Sequence, residues 1–379
     1  MRWTVLLLGA YGLFGSRIAA RLAREPGWHV LLAGRDLARA EALAARCRTD
    51  AGAELVPLAI DAHGDNFDTA LARERPQLVI HCAGPFQGQG YTVARRCLAA
   101  GAHYLDLADG RDHVVGFGPA LDATARERGL LAVTGASTVP GLSAAVVDAY
   151  RSTFARLDGI DIGISPGNRT ERGLATVAAI LSYVGRPLPW REQGRGIAVR
   201  GWQRLQRHRY PQPVGARWLA ACDVPDLAVF PERYGPLVCL RFRAGLELRR
   251  LHFGVWLISW LVRAGLVRDL SRHAATLKHM SEWFAGAGSD TGAMHVTLDG
   301  VGAGGGSCRL TWEIVARDGD GPEIPATAAV VVARKLARGE ITAYGARACM
   351  DLFTLDEFLE SLTGFAIDTY YRITPESVP

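Results

Sequence analysis

Three glycines, at positions 9, 12 and 15, stand directly behind the apolar run Val5 to Leu8 in the stretch GAYGLFGSRIAARL. Each has a distinct use: Gly9 permits a sharp turn, Gly12 lets the backbone approach a diphosphate, and Gly15 lets the following helix lie close on a sheet. The helix start adds free N–H groups and a partial positive charge, so Tyr11, Leu13 and Phe14 belong to the same candidate cradle for a dinucleotide. The spacing is Gly-x-x-Gly-x-x-Gly, a longer turn than the Gly-x-Gly-x-x-Gly form. A second group follows roughly twenty residues on, where the adenosine ribose is expected. There the chain reads Gly34-Arg35-Asp36. Gly34 removes bulk and Arg35 offers a planar, permanently charged fork suited to a 2′-phosphate, with Arg39 one turn on. NADP is therefore the expected cofactor, and Asp36 keeps NAD as the alternative.

Such a cradle needs strands and helices in strict alternation to hold it. Strands are read at 4–8, 29–33, 54–59, 77–82, 103–107 and 130–134, and helices at 12–24, 37–47, 66–73, 90–100 and 118–128. Strands separated by helix-length segments imply parallel crossovers, and near-continuous Val/Leu/Ile runs fit a sheet covered on both faces. The fold class is α/β: an N-terminal doubly wound Rossmann-type parallel sheet followed by an α+β substrate domain with a mainly antiparallel sheet. Ligands of such sheets sit outside the carboxyl ends of the strands. Asp61 and Ala62 then fall beside the adenine, and Cys82, Ala83, Gly84 and Pro85 pass the diphosphate and nicotinamide ribose.

Met1-Arg2 ahead of an apolar stretch also permits a signal-peptide reading. Against it, Phe14, Ile18 and Leu22 recur at helical spacing while Arg17, Arg21 and Arg24 fall on other faces. Cleavage would also remove the strand that the second strand pairs with.

At HCAGPFQGQGYTVARRCLAAGAHYLDLADG, residues 81–110, the chain resembles the saccharopine dehydrogenase-like oxidoreductases, and within them the short forms related to trans-acting enoyl reductases. The resemblance is carried by Cys82, Gly84, Pro85, Phe86, Gly90, Val93, Ala94, Cys97, Ala100, Gly101, His103, Tyr104 and Asp106, with GAYG and AGRD in register upstream. It covers residues 4–145 and is loose beyond them. Where the family tends to read Asp-x-x-Gly-Glu, this chain reads Asp106-Leu-Ala-Asp109-Gly110, so a role of that Glu does not carry over. The resemblance implies hydride transfer to or from an imine or a polarised C=C, in a substrate held between the two domains. Tyr104 and Asp106 share one face of the fifth strand and His103 takes the other. Tyr104 could protonate or orient a substrate and Asp106 hold an amine; equally, both could be hydrogen bonders that lock the strand end.

The second half offers less. Residues 135–150 read as a loop turning into a helix where the chain leaves the nucleotide domain. Strands are expected at 158–164, 293–301 and 308–317, and helices at 174–184, 326–337 and 355–362. The Arg-rich stretch 186–209 reads by default as a solvated, mobile loop, with a carboxylate or phosphate substrate, or less readily a nucleic acid, as the functional alternatives. Leu251 to Val267 is rich in Trp, Leu and Val, suited to core packing, a greasy pocket, a membrane surface or a dimer. The domain expectation is 1–140, 141–350 and a tail at 351–379.

Composition bounds these readings. With 49% hydrophobic and 21% charged residues the chain is globular, and 43 Lys+Arg against 38 Asp+Glu is too small an excess to argue for nucleic acid. Seven scattered cysteines without Cys-x-x-Cys fit a reducing compartment, no metal site, and a cytoplasmic setting. No apolar run away from the N-terminus approaches the roughly 20 residues of a membrane span. The expected partners are a small molecule, anionic or lipidic, and a second copy of the chain. The rival readings are a non-catalytic NADP sensor or scaffold, and a peripheral membrane protein.

Overall fold

The computed structural model describes residues 3–375. They form two compact units: one runs from the N-terminus to Leu142 and includes Pro322–Ser361, and the other comprises Ser143–Gly321 with the residues from Leu362 on. The first unit alternates β1 (Trp3–Leu8), α1 (Leu13–Leu22), β2 (Trp28–Gly34), α2 (Leu37–Cys47), β3 (Glu54–Ala59), α3 (Asn66–Glu74), β4 (Leu78–His81), α4 (Thr92–Ala99), β5 (His103–Asp106), α5 (Arg111–Glu127) and β6 (Leu131–Thr134). The second unit opens with α6 (Ser143–Tyr150) and β7 (Phe154–Ser165), then α7 (Leu174–Tyr183), β8 (Pro187–Glu192), β9 (Arg195–Arg200), β10 (Gln206–Arg209) and β11 (Ala216–Ala221). It continues through α8 (Asp226–Tyr234), β12 (Cys239–Ala244), α9 (Arg249–Arg263), α10 (Ala274–Glu282), β13 (Gly292–Gly302) and β14 (Ser307–Ala316). The chain then returns to the first unit with α11 (Glu323–Ala337), β15 (Gly345–Ala348) and α12 (Leu355–Glu360), and ends in the second with β16 (Ile367–Pro375).

The first sheet has the order β15-β6-β5-β4-β1-β2-β3, all parallel. Its order reverses between β1 and β4, where Leu8 is level with His81. That reversal leaves a crevice at the strand ends. Residues 5–8, 30–33 and 78–80 are buried throughout, as strands covered on both faces must be.

Residues 322–361 depart from the domain expectation, which gave most of them to the second domain. They supply the seventh strand and a helix on α1, where buried Arg21 donates to Thr327 Oγ1 at 2.7 Å and Arg17 pairs with Glu323 at 3.3 Å. Arg21 thus lies under a helix from the far end of the chain, a pairing that local periodicity cannot reveal. Helix α5 begins at Arg111 instead of 118, because Gly116, Gly118 and Pro119 read as breakers. Gly116 instead makes room for Tyr91, whose hydroxyl would lie 2.4 Å from a Cβ there.

The second sheet is mixed and mainly antiparallel, with the path β10-β11-β12-β7-β13-β14-β16 and β8 and β9 attached at β12; β12 and β7 run parallel. The 186–209 stretch is not a loop: β8 and β9 form a hairpin and β10 joins the sheet edge, with Leu188, Trp190 and Val199 buried between the arginines. Leu251 to Val267 falls mostly in α9. Among the described residues no helix is long and apolar enough to cross a membrane.

Candidate functional site

The turn after β1 is held by its own backbone. Gly9 has φ +75, and Gly9 N–H and Ala10 N–H both donate to Ala33 O at the end of β2. A Cβ on Gly9 would lie 3.0 Å from the backbone N of Ala83, and one on Gly15 would lie 2.2 Å from Gly9 O. Side chains are thus excluded from both positions, one by the approach of the β4 loop and the other by the approach of α1 to the turn. Gly12 is the residue preceding α1, with no side-chain cap and no acidic residue in the first turn. The helix start, with Leu13 and Phe14 half-buried, is left for an anion.

The end of β2 is built around Tyr11. Its ring lies over Gly34, where a Cβ would be 2.3 Å from Cε1, and its hydroxyl accepts from Asp36 N–H at 3.0 Å. The Arg39 guanidinium sits 4.4 Å from the ring centroid on a face of Tyr11. Asp36 caps α2, accepting from Arg39 N–H at 3.2 Å. Arg35 is exposed and makes no hydrogen bond or ion pair among the described residues. Asp61 is exposed beyond β3, where it accepts from His63 N–H, while Ala62 is buried.

After β4, Cys82 N–H donates to Leu8 O at 2.9 Å, and Ala83, Gly84 and Pro85 are exposed. Gln89 braces this loop by donating to Ala83 O and Pro85 O. Burial pushes the thiols of Cys82 and Cys97 far above their ordinary value, which makes them poor nucleophiles. None of the seven cysteines forms a disulfide, and no group of metal-ligating side chains occurs among the described residues.

Tyr104 and Asp106 point the same way, as strand alternation requires, but into the protein: they are 3% and 0% exposed. Asp106 Oδ1 accepts from Thr134 Oγ1 at 2.7 Å and from Ala108 and Gly135 N–H at 3.0 Å each, and Oδ2 faces His113 Nε2 at 3.4 Å. Tyr104 OH lies 3.1 Å from His81 Nδ1. Burial drags His81 down to about 4, whereas at His113 the pull of burial is outweighed by the carboxylate of Asp106 and its pKa is raised. His81, His113 and Thr134 escaped the sequence reading. A signal for His81 existed, since a parallel strand level with β5 puts it on the face of Asp106. His113 lay in the half of α5 hidden by glycines. The nucleotide-side residues Gly9 to Gly15, Gly34 to Asp36 and Cys82 to Pro85 come together at adjoining strand ends, with Asp61 and Ala62 one strand further out.

Residues 5–133 match the family described as saccharopine dehydrogenase NADP binding domain. A search of the curated proteins finds no match. Among solved structures, the apo saccharopine dehydrogenase (L-Glu forming) from Saccharomyces cerevisiae aligns with TM-score 0.66 at 14% identity, over 98% of this chain and 100% of that one. An engineered D-amino acid dehydrogenase bound to NADP+ aligns with TM-score 0.46 at 13% identity, over 95% and 99% of the two chains. The C. glutamicum DAP dehydrogenase in complex with DAP aligns with TM-score 0.44 at 12% identity, over 94% and 98%. At such identities the first likeness establishes the fold.

Proposed function

From the match of residues 5–133 to the saccharopine dehydrogenase NADP binding domain, we propose that the chain is an NADP-dependent oxidoreductase acting on an imine or a polarised C=C of a small molecule. The observation that carries the cofactor preference is the contrast between two helix starts. That of α1 has neither side-chain cap nor acid, which suits a diphosphate, whereas that of α2 is capped by Asp36, so this carboxylate is engaged where an NAD site would offer it to the ribose. Arg35 stands beside it exposed and unpaired, and Arg39 is held on Tyr11, so two guanidinium groups flank the expected 2′-phosphate position.

A bound nicotinamide supplies or accepts the hydride. The chain's own share is binding and orientation. Gly9, Gly12, Gly15 and the N–H groups of Leu13 and Phe14 hold the diphosphate. Tyr11, Gly34 and Arg35 take the ribose phosphate, Asp61 and Ala62 the adenine edge, and Cys82 to Pro85 the nicotinamide ribose. Tyr104 and Asp106 act as positioning residues: Asp106 ties the end of β5 to the Thr134–Gly135 turn, and Tyr104 seats His81 beneath the β4 loop.

Titration of the purified chain with NADPH and NADH tests the cofactor reading, with tighter, saturable NADPH binding expected. NADPH oxidation is then followed on imines, enones and lipidic enoyl compounds. Turnover on one class identifies the reaction, while NADPH binding without turnover on any class favours a sensor.

A further inference from the structure

The second unit contains a cavity of about 400 Å³ that the nucleotide chemistry does not use. Its size is that of a small-molecule pocket. Helices α7, α9 and α10 wall it: Leu181, Leu251, Val255, Ile258, Leu277 and Phe284 give it an apolar lining, and Ser281 is its one uncharged polar residue. Helix α9 divides its faces three ways. His252 and Ser259 are buried, where Trp202 Nε1 donates to His252 O and Gln203 donates to Ser259 Oγ. Leu251, Gly254, Val255 and Ile258 line the cavity, and Leu257, Trp260 and Leu261 are exposed.

The charge on this cavity is of one kind. Arg172, Arg250 and Lys278 line it, and no acidic side chain does. Lys278 is paired with Glu282. Arg172 reaches Asn168 Oδ1 and the carbonyls of Gly167 and Asn168, but its Nε is buried without a partner. Arg250 is exposed, with no hydrogen bond or ion pair among the described residues. It lies in the first turn of α9, which has no side-chain cap and no acidic residue. Cations at a helix start oppose the helix dipole, an arrangement that an anion held between them reverses. Arg172 likewise stands two residues before α7. Both guanidinium groups therefore sit at the starts of helices whose later turns, through Leu181 and Ile258, form the apolar wall.

We infer that this cavity binds a single long-chain carboxylate, with the carboxylate on Arg250 and Arg172 and the hydrocarbon chain along α9. The occupant is a monomeric amphiphile and not a membrane surface, because the apolar lining is recessed between three helices and the cations belong to it, whereas the outer face of α9 carries Leu257, Trp260 and Leu261. None of the lining residues is among those assigned to the nucleotide, so the binding is tested with the nucleotide left out.

The test is calorimetric titration of the full chain with dodecanoate below its micelle concentration, beside butyrate, dodecanol and phosphatidylglycerol vesicles. Saturable dodecanoate binding is expected, with butyrate weaker by roughly a hundredfold or more because each methylene buried counts. Dodecanol, and dodecanoate with Arg250→Ala, should each bind about tenfold more weakly, as a charge-assisted contact is lost. Gly254→Phe should abolish binding: a Cβ at Gly254 meets nothing within 4 Å, so the ring enters the cavity, and circular dichroism should show the fold intact. The inference is overturned by absence of saturable dodecanoate binding, by equal affinity for butyrate, by a folded Gly254→Phe variant that binds as before, or by association with vesicles alone.

Discussion

Both units bury an aspartate completely, and they treat it in opposite ways. In the first, Asp106 meets two backbone N–H groups, the Thr134 hydroxyl and the His113 ring. In the second, Asp226 Oδ1 receives the Ser143 hydroxyl, and its Oδ2 is buried without a partner. Burial accordingly pushes the Asp226 carboxyl up to about 7. Converging donors are what let a buried carboxylate serve as a structural tie; without them the neutral acid is the cheaper species. The first unit gathers such donors at the strand ends, where the nucleotide turn needs a fixed geometry.

The largest consequence is in stability. Asp106→Ala leaves several buried donors unanswered and should cost about 3–5 kcal/mol. Urea denaturation measures it, and a loss near zero would show that the strand ends do not depend on this tie. At Asp226 the sign reverses. The folded-state pKa of about 7 lies above the ordinary 3.8, so the stability linked to this group is complete below 3.8 and is lost as pH rises through about 7. Asp226→Asn removes that loss. Its effect relative to the parent should therefore be more favourable at about pH 8 than at about pH 4 by about 4 kcal/mol. Parallel stability curves for parent and variant would mean that Asp226 finds a partner when ionised.

The same two regions differ in how far they could be read in advance. Strands buried on both faces show as apolar runs, so β1, β2, β4, β5 and β6 were legible within a residue or two, as was the half-exposed edge strand β3 from ELVPLA, and with them every glycine of the cradle. Strand β15 reads Gly-Ala-Arg-Ala and has no such run; it is a strand because β6 offers it an edge. In the second unit one sheet face is polar yet enclosed. His208 pairs with Glu313 at 2.7 Å and stacks on His295 at 3.7 Å, and Arg243 pairs with Asp161. Arginines there are interior partners as well as solvated charges, as Arg243 over the Trp190 ring illustrates. A count of arginines across 186–209 therefore suggests solvent where the alternation with Leu188, Trp190 and Val199 makes strands. At the candidate site the glycines and Arg35 announced themselves locally. The polar cluster around Asp106 did not, because His81, His113 and Thr134 come from three elements.

The smallest change falls on the cofactor preference itself. Arg35 is exposed, so its removal leaves the fold alone, and its effect should appear in one ratio. The purified chain and its Arg35→Ala variant are titrated with NADPH and NADH. The parent should bind NADPH more tightly, and the variant should lose about tenfold or more of that preference with NADH affinity nearly unchanged. An unchanged ratio would contradict the assignment of Arg35 to the 2′-phosphate and return the choice of cofactor to Asp36.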